Sequence, residues 1–220
     1  MISSSMQDYL KTMYELSELS DAVTTSAIAA RMKVSPASAT NMMKKLAAMK
    51  LVRRTPYQGV QLTAAGQKIA LEIVRHHRLL ELYLAQALGY SWDQVHDEAE
   101  RLEHHISEEF EEKIAQSLGD PTRDPHGAPI PSRDGVVDDV PRPSLAESPA
   151  VGQSAAVYRV NDDHAERLRY LEKLGLRPDV QFTVIERAPF QGPIRLRVGK
   201  KQVSVGAELA REILVTKEGT

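Results

Sequence analysis

Five of the seven histidines in this 220-residue chain fall between His76 and His105, interleaved with carboxylates. Glu100, Glu103 and His104 stand at i, i+3 and i+4, so on a helix all three project from one face. His77 and Glu81 repeat the i, i+4 relation one helix earlier, and His96 precedes Glu100 by four residues. Carboxylate oxygens and imidazole nitrogens at these spacings are the donors a divalent first-row metal ion needs. The chain contains no cysteine, which excludes a thiolate metal site, a disulfide framework and a cysteine nucleophile.

A different chemistry lies upstream. Ala22 through Leu71 holds eight Lys/Arg and no Asp or Glu, although the whole chain has a net charge of −2. The average argues against a nucleic-acid binder, but the asymmetry of sign matters more: acids concentrate in Asp93–Glu112 and bases in the first third. Ser35, Ser38, Thr40 and Asn41 lie early on a helix where base edges could be met, and Asn pairs in bidentate fashion with adenine. Lys44, Lys45, Lys50, Arg53 and Arg54 are placed to neutralise phosphates, which gives affinity without sequence information. An ordinary solvated basic face is the competing reading. The wing that follows and the absence of any compensating acid over fifty residues favour DNA.

The elements that position these residues can be read from period and punctuation. Ser5–Leu19 carries a helical stripe of Met6, Tyr9, Leu10, Met13 and Leu16. Thr25–Met32 reads as a short helix capped by Thr24 or Thr25. Ser35 then caps, and Pro36 opens, a second helix reaching about Lys50. Leu51–Arg54, a turn at Tyr57–Gly59 and Val60–Leu62 form a small hairpin, the wing of a winged helix-turn-helix. Thr63 caps a long helix over Ala64–Leu88, whose stripe of Leu71, Val74, Leu79, Leu82 and Ala85 reads as dimer core. A helix from Ser91 or Asp93 to about His105 follows, and Ser107 begins a third. Pro121–Pro149 is rich in Pro, Asp, Gly and Ser and reads as connecting chain. Beyond it, Ala155–Val160, Val180–Glu186, Ile194–Val198 and Gln202–Val205 are short alternating strands, with a helix over Ala165–Lys173.

The segments Asp8-Tyr9-Leu10, Met13-Tyr14-Glu15-Leu16, Arg75–Glu81 and Val95–His105, with Pro125–Pro131, resemble the diphtheria toxin repressor and manganese transport regulator family over the whole chain. The resemblance implies a mainly α protein with a small β domain. It places a winged helix-turn-helix in 1–63 and a helical metal-binding and dimerisation domain in 64–140. A Pro-rich linker follows in 141–152, then an SH3-like (FeoA-like) barrel in 153–220. It implies a homodimeric repressor, not an enzyme, that binds a palindromic operator when loaded with Mn(II) or Fe(II) and controls metal-ion homeostasis. Carried over position by position, Asp8, Glu100, Glu103 and His104 match the primary site, and His77, Glu81 and His96 the ancillary one. A ligand from the barrel is expected at Asp162, Asp163 or His164. Iron-type members carry a methionine where Asp8 stands and a cysteine where Glu100 stands. Two carboxylates there favour Mn(II), with Fe(II) the alternative. Lys11 occupies the position of a further glutamate in short manganese regulators, which argues for two separated sites rather than a two-metal cluster.

The resemblance also carries a switch. Gathering three carboxylates without a cation costs Coulomb repulsion, so the first helix is expected to move or fray until a divalent ion ties the head to the dimer core. His76 and His105 are expected to be nonligands, His105 because it sits about 100° around the helix from His104. Trp92 and the methionines are expected to pack. A metallohydrolase is the rival from another class, without a His-Glu-x-x-His sequence or an evident base. A metal-independent adaptor binding a Pro-rich segment through the barrel is a third, weakened by sparse aromatics. No apolar stretch approaches the ~20 residues needed to span a bilayer, and Met1–Gln7 lacks a signal-peptide core, so a cytoplasmic protein without membrane contact is expected.

Overall fold

The computed structural model of the chain describes residues 2–19, 22–55, 59–138 and 140–217. It divides into two compact units, Met1–His77 with Leu102–Glu108 and Pro131–Val137, and Arg78–Arg101 with Glu109–Ile130 and Asp138–Thr220.

In the first unit, α1 (Ser4–Leu19), α2 (Thr25–Arg31) and α3 (Pro36–Ala48) precede an antiparallel hairpin of β1 (Val52–Thr55) and β2 (Gly59–Leu62). The hydroxyls foreseen as caps do cap. Thr24 accepts from the Ala27 N–H at 3.0 Å, and Ser35 from the Ser38 N–H at 3.2 Å with Pro36 in the first turn. The stripes of α1 and α3 meet with α2 in a core where Leu10, Met13, Ile28, Met43 and Leu46 are fully buried. Gly59 has φ +73°, and a Cβ there would stand 2.2 Å from the Val23 carbonyl oxygen. That close approach lets the Val60 N–H reach the same oxygen at 2.9 Å and ties the hairpin to the α1–α2 connection. The wing tip expected at Tyr57–Gly59 lies partly outside the described residues.

Thr63 caps α4 (Ala64–Gln86), accepting from the Gly66 N–H at 3.2 Å. The helix stops two residues before Leu88, and Gly89 with φ +72° lets the chain turn away. Leu71, Val74, Leu79 and Leu82 are all buried within the single chain. Four of the five residues expected as dimer core are therefore covered within one chain, and Ala85 is partly exposed. The expectation assumed that only a small head was available to cover the stripe.

The second unit holds the end of α4, most of α5 (Val95–Leu102) and of α6 (Glu108–Ser117), and a five-stranded antiparallel sheet in the order β6-β5-β4-β3-β7. Its strands are β3 (Ser154–Val160), β4 (Gln181–Arg187), β5 (Ile194–Val198), β6 (Lys201–Val205) and β7 (Ile213–Lys217). They are accompanied by α7 (Ala165–Leu174) and α8 (Ala207–Arg211). The alternation read in the sequence points Phe182, Val184, Ile194 and Leu196 into one core with Leu168 and Leu171. A register shift between Val157 and Arg159 turns Val160 inward as well, although it stands three residues from Val157. Strand β7 and helix α8 are additions to the sequence reading; the consecutive Ile213-Leu214-Val215 hides the period of two.

Two stretches read as connecting chain are ordered. Asp124 accepts from the N–H groups of His126 (2.8 Å) and Ala128 (2.9 Å), while the Ile130 N–H donates to Thr122 at 2.8 Å, closing residues 122–130 into a tight loop. Farther on, the Arg187 guanidinium donates to the carbonyls of Leu145 (2.8 Å), Ala146 (2.9 Å) and Pro149 (2.8 Å), and Leu145 is fully buried. The Pro-rich segment is thereby pinned against the barrel.

Candidate metal centres

The first unit brings Asp8 of α1 to Glu103 and His104. Each residue offers one ligand atom, and the three lie within 4.8 Å of one another. His104 Nε2 is 2.6 Å from Asp8 Oδ1 and 3.4 Å from Glu103 Oε1. The helix expected to run to His105 ends at Leu102. Glu103–His105 form a turn in which the His105 N–H bonds back to Leu102 at 2.9 Å, and the His76 ring nitrogen Nδ1 lies 3.0 Å from the Glu103 carbonyl. A tightened last turn followed by the start of α6 explains the early stop. Glu100 stands one turn before Glu103, exposed, on the part of α5 that belongs to the other unit.

Two residues that the ligand pattern did not single out complete this centre. Gln7 Oε1 is 2.9 Å from His104 Nδ1, so that Nδ1–H donates to the carboxamide and Nε2 is turned toward Asp8. Lys11 Nζ donates to Glu103 Oε2 at 2.8 Å and Oε1 at 3.1 Å, and lies 3.1 Å from His77 Nδ1. His77 Nδ1 is also 2.6 Å from Glu103 Oε2, which leaves Nε2 as this imidazole's other donor atom. A Gln one residue before a candidate ligand carries no sequence signal by itself; its helical position beside Asp8 is what places it.

The second unit assembles a further carboxylate–imidazole cluster. His96 Nδ1, on α5, lies 3.3 Å from Glu81 Oε1 on α4 and 3.5 Å from Asp162 Oδ2, in the turn after β3. Of the three barrel residues expected to supply a ligand, Asp162 is the one brought here. Asp163 instead bonds with Asn161 (3.1 Å), and His164 stands at the N-cap of α7. The loop over 122–130 adds His126, whose Nδ1 is 3.7 Å from Glu81 Oε2 and 3.8 Å from Asp162 Oδ2. Asp124 joins it, one oxygen of Glu81, Asp124 and the His126 nitrogen lying within 4.8 Å of each other. Sequence reading took this loop for linker and missed both. The signal was a His flanked by Asp124 and Gly127 in a segment too poor in apolar residues to need one.

His126 is held from several sides. Its Nε2–H donates to the Trp92 carbonyl at 2.7 Å, its ring stacks on the indole at 5.8 Å between centroids, and its carbonyl accepts from the Val160 N–H at 2.9 Å. Trp92 packs as expected and also donates to Glu172 at 3.1 Å. Gly127 has φ +90°, with the Tyr158 carbonyl oxygen 2.1 Å from where a Cβ would be. Only glycine lets the loop lie this close to β3.

Burial disfavours the charged imidazole of His96, but Asp162 and Glu81 outweigh it and raise its pKa to about 11. His126 behaves alike: burial opposes and the Glu81 and Asp162 carboxylates prevail, giving about 10. Burial raises Asp124 to about 6, with the Glu81 charge adding to it, while the same surroundings hold Asp162 well below the usual carboxylate range despite burial, through its bond to His96. A site that pulls protons onto both histidines is one short of positive charge. The fit to a divalent cation rests on buried atoms: His126 Nδ1 and Asp124 Oδ2 have no hydrogen-bond partner among the described residues, Arg78 Nε being 3.9 Å from the latter. The donors are oxygens and imidazole nitrogens, with no sulfur, which suits Mn(II), Fe(II) or Zn(II). A third grouping, Glu72, His76 and Glu108, is mostly exposed.

On the basic face, Ser38, Asn41, Lys44, Lys45 and Arg53 are exposed, around the buried row Ala39, Met43 and Leu46. The Ser35 hydroxyl caps α3 and bonds Ser38 Oγ (2.9 Å), and the Thr40 hydroxyl donates to the Pro36 carbonyl (2.8 Å). Both are engaged within the helix. The Arg54 side chain lies outside the described residues.

This geometry has counterparts in known proteins. The family model of the N-terminal DNA-binding domain of iron-dependent repressors matches residues 1–60, that of their metal-binding and dimerisation domain residues 63–132, and the FeoA domain residues 145–217. The iron-dependent repressor IdeR of Mycobacterium tuberculosis is 31% identical over 95% of both chains, and the diphtheria toxin repressor of Corynebacterium efficiens 29% over 95% of this chain and 94% of its own. Among solved structures, a manganese-dependent transcriptional repressor in complex with manganese is 39% identical, with a TM-score of 0.88 over 96% of this chain and 99% of that one. The repressor ScaR with bound Zn2+ is 34% identical, with a TM-score of 0.82 over the same shares. A winged helix-turn-helix, a helical dimerisation domain and an SH3-like FeoA domain in this order, with carboxylate–imidazole centres, place the chain in the diphtheria toxin repressor family of iron- and manganese-dependent transcriptional repressors, which are not enzymes.

Proposed function

We propose that this protein is a Mn(II)-dependent repressor of metal-homeostasis genes that binds a palindromic operator as a homodimer. The observation that carries the reading is the all-oxygen-and-nitrogen set of Asp8, Glu103 and His104, which joins the DNA-binding head's own first helix to the turn after α5. Glu100, three residues before Glu103, stays a fourth candidate from the family resemblance. Glu81, His96, Asp124, His126 and Asp162 form the second site; His77, four residues before Glu81, stays a candidate from the sequence pattern. When bound, a divalent cation supplies positive charge that offsets the repulsion among these carboxylates and favours the arrangement in which they converge.

The chain's residues do the rest. Gln7 orients His104, Asp8 lends α1 an anionic arm toward the Glu103 turn, and α3 presents Ser38 and Asn41 to base edges with Lys44 and Lys45 toward phosphates. Two such heads held at a fixed separation read half-sites about one helical turn apart. The iron reading shares every one of these steps and is favoured by the iron-dependent names of the curated relatives. Anisotropy titrations of a labelled operator with Mn(II), anaerobic Fe(II), Zn(II) and chelator separate the two. Binding supported by Mn(II) at lower free concentration than Fe(II) supports the proposal. Preference for Fe(II), or binding undiminished by chelation, overturns it. No helix among the described residues is long and apolar enough to cross a membrane.

A further inference from the structure

Lys11 belongs to neither ligand set, yet its side chain is placed as a ligand-set cation would be. It is buried, 6% exposed, and its ammonium donates to both oxygens of the fully buried Glu103, with His77 Nδ1 beside it. A buried carboxylate is tolerated when paired and hydrogen-bonded, and here the partner comes from α1. Lys11 follows Asp8 by three residues, so both project from the same face of that helix toward the same turn. Gln7 reaches His104 from the preceding position.

We propose that the Lys11 ammonium is a resident cation. It holds α1 against the Glu103 turn in the metal-free protein and turns Glu103 so that Oε1 faces His104, 3.4 Å away. The first helix is then docked before a divalent ion arrives, by a charge that cannot dissociate into solvent. On this proposal the first helix does not move or fray freely without metal, against the sequence expectation. Activation tightens contacts at a site already assembled on one side, and the metal-free repressor keeps a residual hold on its operator. That last consequence rests on the repressor reading; the tether itself does not, and is measured without DNA.

The test is amide hydrogen exchange of the full-length, chelator-treated protein. Lys11→Met keeps the length and apolar stem and removes the charge. It should speed exchange in α1 at least tenfold relative to α4, and Lys11→Arg should restore exchange to within about threefold of wild type. Saturating Mn(II) should restore protection in Lys11→Met, because Asp8, Glu103 and His104 remain. Unchanged α1 exchange in Lys11→Met, or equal exchange in the Met and Arg variants, overturns the proposal. Should Lys11→Met fail to fold by circular dichroism, Glu103→Gln removes the charge from the opposite side, and its α1 must open in the same way; an α1 that stays protected there overturns it equally. Failure of metal-dependent operator binding in a protein that passes this test counts against the proposed function and leaves the tether standing.

Discussion

Gln7 gives the sharpest handle on the proposed primary centre, because it touches His104, a proposed ligand, and is not itself in the set. Replacing it with alanine leaves His104 Nδ1–H without the acceptor now at 2.9 Å, on a ring that is 7% exposed and has little water to turn to. An outer partner of a metal-bound histidine is worth about 10–100-fold in metal affinity, or roughly 1.4–2.7 kcal/mol. In a Mn(II) titration followed by operator anisotropy, Gln7→Ala should move the midpoint to 10–100-fold higher metal and leave the plateau unchanged, since Asp8, Glu103 and His104 are intact. Gln7→Glu, which offers a carboxylate acceptor and raises the basicity of the ring, should move the midpoint the other way. Asp8→Ala should instead lower the plateau to the metal-free level, because the ion then has no ligand on α1. The reasoning is refuted by a wild-type midpoint in Gln7→Ala, or by a lowered plateau at an unchanged midpoint.

The second centre carries its own reporter: Trp92 is the single tryptophan and stacks on His126, so loading metal in place of a proton should change its emission. A flat emission titration in a protein shown by calorimetry to fill this site contradicts the placement, as does an unchanged response in His126→Ala. The folded pKa values of about 11 for His96 and about 10 for His126 lie above the usual 6.5, so both rings are protonated at neutral pH and metal must displace those protons. Apparent affinity at this site should therefore rise between pH 6 and 8, approaching a hundredfold per unit for two protons; a pH-independent competition titration refutes it. By the same linkage, the stability these raised values lend the metal-free fold is full below pH ~6.5 and fades as pH climbs through 10–11, which chemical denaturation at pH 7 and 10.5 reads directly. Lys44→Ala should weaken operator and nonspecific DNA alike and reduce the salt slope by about one, whereas loss confined to the operator would make Lys44 a base reader.

The sequence was most legible where one element does one job. Capping hydroxyls at Thr24, Ser35 and Thr63 and the strand alternation of Phe182–Val184 rest on local rules, and the structure follows them. It was least legible where a side chain serves the backbone and a site together. Asp124 folds its loop through Oδ1 while its Oδ2 has no hydrogen-bond partner among the described residues, a double role that composition hides, so Pro121–Pro149 looked like slack chain. The helix expected to reach His105 stops at Leu102, where the His105 N–H closes a tight local turn and the next carbonyl, of Glu103, lies beside His76, a neighbour distant in sequence. The α4 stripe was read as a surface for another copy because periodicity reports that a face is buried, not what buries it.

The grip on His126 has an energetic corollary. With its ring nitrogen on Trp92, its carbonyl on Val160 and its amide on Asp124, the imidazole has almost no rotameric freedom left to surrender when an ion arrives. The ordering entropy of that proposed ligand has been spent during folding. Avidity for the cation is in this sense inherited from the loop, and any change that loosens the loop erodes both together.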